Sequence, residues 1–140
     1  MNNTLVLKEG MEKIIKDSHQ QLQNGDFFNW EKIYQIGEYL VENKYNMSEN
    51  DFKKWIEKTF KSQKHYAKFY MTMYRNQNVV KRLNMNNILV DNQTKVHKVL
   101  NKSSEKLSAS NSITDKLIIE NVADYVQKYI SWLKRDGKIK

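Results

Sequence analysis

The chain has 140 residues, of which 39% are hydrophobic and 11% aromatic, enough for one small domain with a modest core. It has no cysteine, which excludes disulfide scaffolds, cysteine-ligated zinc and thiol catalysis, and no stretch approaches the ~20 apolar residues of a membrane span. The formal net charge is +8, and residues 1–10 lack the basic segment and cleavage site of a secretory signal. We therefore expect a cytoplasmic protein with no membrane association.

Helical periodicity runs through nearly the whole chain, so the predicted fold class is all-α. The first helix is predicted from about Thr4 to Asn24, with Gly25 as its stop. Asp26 is predicted to cap the second helix, which ends near Tyr45. Apolar residues recur in this second helix at every third or fourth position, which indicates one buried face.

A third helix is predicted to begin after Ser48, because Ser48 with Asp51 three residues later is typical of a capping box. Phe52 and Trp55 begin its short apolar stripe. The helix is predicted to end at the break formed by residues 60–62.

A fourth helix is predicted from Gln63 to about Asn76, capped by Ser62. Two short apolar segments follow it. The first contains Val79, Val80 and Leu83, and the second contains Val96, Val99 and Leu100.

The C-terminal part of the chain is predicted to hold the longest helix. Residues 101–112, rich in Ser, Asn and Lys, are predicted to be an exposed connector between a helical domain of residues 1–100 and a segment of residues 113–140. Ser112 is predicted to cap the helix, and Gly137 to stop it. Its apolar residues keep helical spacing throughout: Leu117, Ile118, Val122, Tyr125, Val126, Tyr129, Ile130 and Leu133.

The positive charge is concentrated in the middle of the chain. Lys and Asn make up 37 of the 140 residues, an enrichment that A- and T-rich codons alone produce, so the total charge says little. Residues 1–51 carry a net charge of −4, residues 52–82 of +8 and residues 83–140 of +4. Codon drift does not explain this asymmetry, and a basic block of this kind predicts a polyanion-binding surface.

Residues 52–76 are predicted to form a helix-turn-helix, in which the second helix enters the major groove of DNA. Ala67, Tyr70, Met71 and Tyr74 are predicted to face the first helix. The opposite face and the helix start are predicted to read bases through Gln63, Lys64, His65, Lys68, Thr72 and Arg75. Phosphate contacts are predicted at Lys53, Lys54, Lys58, Lys61, Ser62, Lys81 and Arg82.

The same stretch also resembles a known family. It runs Phe52-Lys-Lys-Trp-Ile-Glu-Lys-Thr-Phe60 and then Ser62-Gln-Lys-His-Tyr-Ala67-Lys-Phe-Tyr70-Met-Thr-Met-Tyr74. This is similar to the helix-turn-helix segment of small phage and plasmid proteins of low-GC bacteria, including ParB-like partition proteins. The resemblance covers about residues 52–75 and implies a DNA-binding regulator or a replication or partition factor. Many members carry Arg in the recognition helix, where this chain carries Lys and His.

A protein-interaction module, such as an inhibitor or adaptor, is the competing function class. It is favoured by the acidic N-terminal third and by aromatic residues that are expected to be exposed, namely Tyr34, Tyr39, Tyr45, Tyr66 and Phe69. An enzyme is not expected, because the chain has four Gly and no Walker, Rossmann, Gly-x-Ser-x-Gly or His-Glu-x-x-His motif. His19, His65 and His97 lack metal-binding spacing, so we expect no metal and no cofactor.

The C-terminal helix predicts a homodimer. One recognition helix contacts few base pairs, and two-fold dimers solve this by reading half-sites about 34 Å apart. The predicted dimer interface contains Tyr125, Tyr129, Ile130, Trp132 and Leu133. Packing of this helix against its own domain is the alternative, whereas Asp115, Glu120 and Asp124 argue against a membrane-surface helix.

Overall fold

The computed structural model describes residues 2–83, 102, 104–107, 109 and 112–139, with side chains from residue 10 onward. Over these residues the chain is helical and contains no strand, so the predicted all-α class is confirmed. The elements are α1 (Asn2–Gln23), α2 (Trp30–Asn46), α3 (Glu49–Phe60), a 3-10 turn (Lys61–Gln63), α4 (Lys64–Arg75), α5 (Gln77–Arg82) and α6 (Ile113–Arg135).

The chain divides into two compact units, residues 1–75 and residues 76–140. This boundary differs from the predicted one, which lies in the connector of residues 101–112. Seven residues of that connector are described. Six of them are helical, and Ser104 is buried rather than exposed. The predicted short helix around Val96 lies outside the described residues, as does His97.

Two of the predicted N-caps are present in the structure. The Ser48 hydroxyl accepts a hydrogen bond from the Asp51 backbone N–H at 3.2 Å, and the Ser112 hydroxyl accepts one from the Asp115 N–H at 3.3 Å. Both bonds satisfy an N–H that has no partner within its own helix. The third predicted cap, Ser62, is wrong, because Ser62 lies inside the 3-10 turn.

The cap of α2 is Asn29 and not Asp26 as predicted. Residues 26–29 form a turn, closed by a 3.1 Å bond from the Asn29 N–H to the Asp26 carbonyl, so α2 begins three residues later than Asp26 would place it. The Asn29 side chain accepts from the Lys32 N–H at 3.2 Å. Hydrogen bonds from the Lys32 ammonium and from the Asn29 amide hold the pKa of the Asp26 carboxyl below its usual value.

Helix α4 is the centre of the first unit. It makes its most extensive contact with α2 and also packs against α3 and the 3-10 turn, while α1 packs on α2. The largest side chains that this packing buries completely are Tyr66, Tyr70, Phe69, Ile15, Leu22, Ile33, Ile36, Leu40 and Met73. Four of these nine residues belong to α4, which is only 12 residues long.

The close contact between α2 and α4 depends on Gly37. A Cβ atom built on Gly37 would overlap the carbonyl oxygen of Tyr70 and lie 2.6 Å from the Cβ of Tyr74. No side chain therefore fits between the two backbones at this point. The sequence analysis placed Ala67, which is buried, on the inward face of α4, but it did not single out Gly37.

We predict that Gly37→Ala destabilises the fold by about 2–3 kcal/mol, because overpacking would force α4 away from α2. The matched control is Gly10→Ala in α1, where an added Cβ meets nothing within 4 Å. That control should stabilise the protein by up to ~1 kcal/mol, since Ala favours a helix over Gly. Urea unfolding measures the free energy of unfolding of both variants. Equal free energies of unfolding for the two variants would contradict the close-contact argument.

The second unit contains α5 and α6, which contact each other. Gly137 has φ 71° and follows the last turn of α6, as the sequence predicts for a helix stop. The buried face of α6 consists of Ile119, Val122, Ala123, Val126, Tyr129, Ile130 and Leu133. None of the helices in the described parts of the chain is long and apolar enough to cross a membrane.

The predicted dimer interface does not match the exposed face of α6. Tyr129 and Leu133 are completely buried and Ile130 is 2% exposed within the single chain, so these three side chains are not presented to a second copy. Tyr125 and Trp132 are half-buried. The apolar residues that α6 does expose lie at its N-terminal end: Ile113, Leu117 and Ile118.

Candidate nucleic-acid interface

Helices α3 and α4 are joined by the single 3-10 turn, and the junction is conformationally strained. Lys61 has φ 54° and ψ −124°, a region that Gly enters freely and that other residues rarely adopt. Its N–H bonds to the carbonyl of Glu57 and ends α3. Such a conformation costs on the order of 1–3 kcal/mol and persists only where the surrounding packing enforces it, here with Phe60 buried beside it.

We predict that Lys61→Gly stabilises the protein by about 1 kcal/mol, because relief of the strain outweighs the larger entropy of Gly in the unfolded chain. Chemical denaturation followed by circular dichroism measures the change.

Two control variants separate strain from charge. Lys61→Ala removes the ammonium group but keeps the Cβ atom, so it should leave stability nearly unchanged. Lys54→Gly lies in the exposed interior of α3 and should destabilise by up to ~1 kcal/mol. A Lys61→Gly variant that is as destabilised as Lys54→Gly would show that the turn is unstrained.

An open groove of about 470 Å³ lies along α3 and α4. Its apolar lining comes from Phe52, Ile56, Ala67 and Met71. Its cationic lining comes from Lys44, Lys53, Lys64, Lys68 and Arg75. We refer to it as the α3–α4 groove. Glu49, Glu57 and Thr72 complete the lining, so five positive charges face two negative ones.

The exposed face of α4 carries one stripe of cations. Lys64, Lys68 and Arg75 are exposed and follow helical spacing along one side. Thr72 continues the stripe, and its hydroxyl donates to the Lys68 carbonyl at 2.8 Å, which leaves the oxygen able to accept. The Lys64 ammonium lies 3.8 Å from the Glu57 carboxylate across the groove. Both groups are more than half exposed, so this ion pair holds Lys64 only weakly.

The inward face of α4 is wider than the sequence predicted. Ala67 and Tyr70 are buried as expected, whereas Met71 and Tyr74 are only half-buried. Tyr66 and Phe69, which the interaction-module hypothesis needs on the surface, are completely buried, so that expectation is wrong. The cause is that α4 packs against more than one element, and a helix packed on two sides buries more than a single stripe.

Of the predicted base-reading residues, Lys64, Lys68, Thr72 and Arg75 line the groove. Gln63 and His65 do not line it. The Gln63 amide is bonded to His19, and the half-buried His65 ring lies 4.4 Å from that of Tyr66.

Among the predicted phosphate contacts, Lys53 lines the groove. Lys54, Lys58, Lys61 and Ser62 are exposed but lie outside it. Lys81 and Arg82 belong to α5, in the second unit.

A buried histidine from α1 joins the turn to α4. The Nε2 atom of His19 lies 2.7 Å from Oε1 of Gln63, and its Nδ1 atom lies 2.6 Å from the Tyr70 hydroxyl. An amide oxygen only accepts, so Nε2 donates to Gln63, and Nδ1 pairs with the Tyr70 hydroxyl, which can donate or accept. The rings of Phe60 and Tyr66 lie 5.0 and 5.8 Å from the imidazole.

Sequence reasoning missed Lys44, which lines the groove from the last turn of α2. It comes from the acidic third of the chain, so no local charge pattern marks it. No family model, curated protein or solved structure matches the chain, so the resemblance of residues 52–75 to phage and plasmid proteins stays a prediction.

Proposed function

We propose that this protein binds duplex DNA as a helix-turn-helix protein, a regulator or a replication or partition factor of a mobile element acting in the cytoplasm. In this proposal α4 enters the major groove. The observation that carries it is the stripe of Lys64, Lys68 and Arg75 on the exposed face of α4, a helix that buries five of its twelve residues. The proposal includes a homodimer, because one helix contacts only a few base pairs.

Each group on the stripe suits a role in DNA binding. Ammonium groups neutralise phosphates and release counterions, which supplies sequence-independent affinity. Arg75 has the planar fork that fits guanine O6 and N7, and the Thr72 hydroxyl retains lone pairs for a base donor. Lys44 and Lys53 lie at the groove beside this face, where phosphates flanking the major groove would pass. The two glutamates of the groove lower its net charge without cancelling it.

We predict a steep salt dependence of DNA affinity. If all five groove cations contact phosphates, the logarithm of the affinity should fall with that of salt concentration at a slope of at most about −4.5. That slope is a loss of about two to three orders of magnitude between roughly 50 and 200 mM salt. Fluorescence anisotropy with a mixed-sequence duplex measures it. Lys68→Ala and Lys53→Ala should each flatten the slope by about one.

Lys13→Ala on α1 is the matched control, because it removes the same charge from an exposed helical position that does not line the groove. It should leave the slope unchanged. Affinity that is independent of salt, or a slope that Lys13→Ala flattens as much as Lys68→Ala does, would overturn the proposed interface.

A protein-interaction module is the second candidate, and the apolar part of the groove favours it. Phe52, Ile56 and Met71 supply apolar surface that phosphate binding does not need. An acidic amphipathic helix would place its apolar face there and its carboxylates near the cations. Tyr45, which is 82% exposed, adds an aromatic contact at the end of α2.

We predict that Met71→Ala separates the two candidates, because it removes apolar contact without changing charge. DNA affinity should stay within about threefold of wild type, since salt-dependent binding comes from the cations. Docking of a helix should weaken more than tenfold, as the loss of a buried anchor does. If Met71→Ala lowers the affinity for the DNA duplex more than tenfold, DNA is not the molecule that occupies the α3–α4 groove. A nuclease-treated pull-down that retains a partner only with wild-type protein would favour the second candidate.

A further inference from the structure

Helix α2 presents a row of carboxylates on the side opposite its buried face. The members of this carboxylate stripe are exposed and share helical spacing: Glu31, Glu38 and Glu42. The stripe contains no cation, because Lys32 is half-buried and bonded to Asp26, while Lys44 lines the α3–α4 groove. Within the described residues, none of the three glutamates takes part in an ion pair. Helix α2 therefore presents unbalanced negative charge to the solvent.

The carboxylate stripe matches the cations of α4 in length and in spacing. The cationic stripe of α4 consists of Lys64, Lys68 and Arg75, which are separated by four residues and then by seven. The glutamates of α2 are separated by seven residues and then by four, so the two patterns are identical when they are read in opposite directions. Each stripe covers about 16 Å of helix rise. Antiparallel alignment therefore brings every carboxylate opposite a cation: Glu31 with Arg75, Glu38 with Lys68, and Glu42 with Lys64.

The two stripes cannot pair within one chain. Helices α2 and α4 already pack against each other, with the backbone of Tyr70 against Gly37, and both stripes lie on the solvent sides of their helices. In the described parts of the chain, Lys64 is the one member of the cationic stripe with an ion pair, and that pair is with the exposed Glu57 of α3. Pairing of the stripes therefore requires a second copy of the chain.

We propose that α2 of one copy docks antiparallel along α4 of a second copy, and that this contact competes with duplex DNA for the cationic stripe. Each copy carries one stripe of each sign, so the contact is head-to-tail, and further copies can add until a ring closes. Self-association of this kind does not require DNA. The competition rests on the proposed function, because it assigns the same cations to DNA.

The same alignment gives suitable neighbours to uncharged residues of α2. Between the charged pairs, the exposed Gln35 lies opposite Met71, a half-buried residue of the groove. At the end of α2, Tyr45 is 82% exposed and extends toward the turn before α4, where Lys61 is exposed. The face of an aromatic ring attracts an ammonium group. The contact therefore continues beyond the three ion pairs.

The self-association should be weak and sensitive to salt. Exposed ion pairs contribute little individually, and mobile ions screen them. In sedimentation at low salt, the average mass should therefore rise with protein concentration, and the association constant should fall at least tenfold between about 20 and 300 mM salt. Self-association that is unchanged by salt would overturn the proposed contact.

Exchange of charges tests the alignment. Glu38→Lys and Lys68→Glu each place like charges opposite each other and should weaken self-association more than tenfold. The double variant Glu38→Lys/Lys68→Glu restores the pair with its signs exchanged, so its association should return to within about threefold of wild type. Asp17→Lys, at an exposed position of α1, changes the net charge as Glu38→Lys does and should associate like wild type.

A second double variant is the matched control for the alignment. Glu38→Lys/Lys64→Glu has the same net charge as Glu38→Lys/Lys68→Glu, but it leaves like charges opposite each other at two positions. Its self-association should stay more than tenfold weaker than that of wild type. Equal association of the two double variants would overturn the antiparallel alignment. Circular dichroism of all variants checks that the helices persist, as expected for exposed positions.

Chemical crosslinking separates failure of this inference from failure of the proposed function. A carbodiimide joins a carboxylate to an amine in contact with it, and a mixture of isotope-labelled and unlabelled wild-type protein identifies links between copies. We expect a link from Glu38 to Lys68 between copies, which excess duplex DNA suppresses. Absence of that link would overturn the contact and leave the groove to DNA or to an acidic helix of another protein. A link that persists while DNA binds would overturn the competition. A link that forms in a protein that does not bind DNA would overturn the proposed function and leave the self-association in place.

Discussion

The arrangement of the first unit depends on the backbone contact between α2 and α4 at Gly37. Helices with ordinary side chains at their crossing lie 8–10 Å apart, and the absence of a Cβ allows a closer approach. Once the backbones meet, the residues on either side of the contact are enclosed. Tyr66, Phe69 and Met73 are completely buried as a consequence, and α4 is left with one narrow exposed face.

The cationic side chains of α4 lie on that narrow face. Three of the twelve residues of α4 are exposed cations on one side, and the burial of the large aromatic side chains leaves little else for solvent to reach. Mutual repulsion between exposed ammonium groups is small, since water and salt screen it. Glu49 and Glu57 reduce it further at the groove. A basic surface is therefore compatible with a stable helix here, and it does not require strong ion pairs.

Local signals in the sequence predicted the helices well, and they predicted the site in part. Ser48 and Ser112 were identifiable because a cap depends on residues only three positions apart. The alternation of Lys64, Lys68 and Arg75 with buried residues was also visible, because it follows from helical spacing alone. Asp26 was misassigned because Asp and Asn are both good caps, and only the turn of residues 26–29 decides between them.

What the sequence could not show are contacts between distant residues. His19 and Tyr70 are 51 positions apart, and nothing near His19 in the chain marks it as a partner for the turn. In the sequence, Gly37 is only a residue that disfavours a helix, and its role becomes visible when α4 is seen packed against it. The excess burial on α4 has the same origin, since one-dimensional periodicity predicts a single buried stripe.

The link from His19 to the turn bears on how this segment can be moved between proteins. Residues 48–76 contain α3, the turn and α4, so they look like a segment that could be transferred to another protein by itself. Yet the side chain that ties the turn to α4 comes from α1, and the backbone that supports α4 comes from α2. A chimera that contains only α3, the turn and α4 would keep the cationic side chains but would lose the contacts from α1 and α2 that orient α4. Recombination that preserves the orientation of α4 would therefore have to transfer residues 1–75 together.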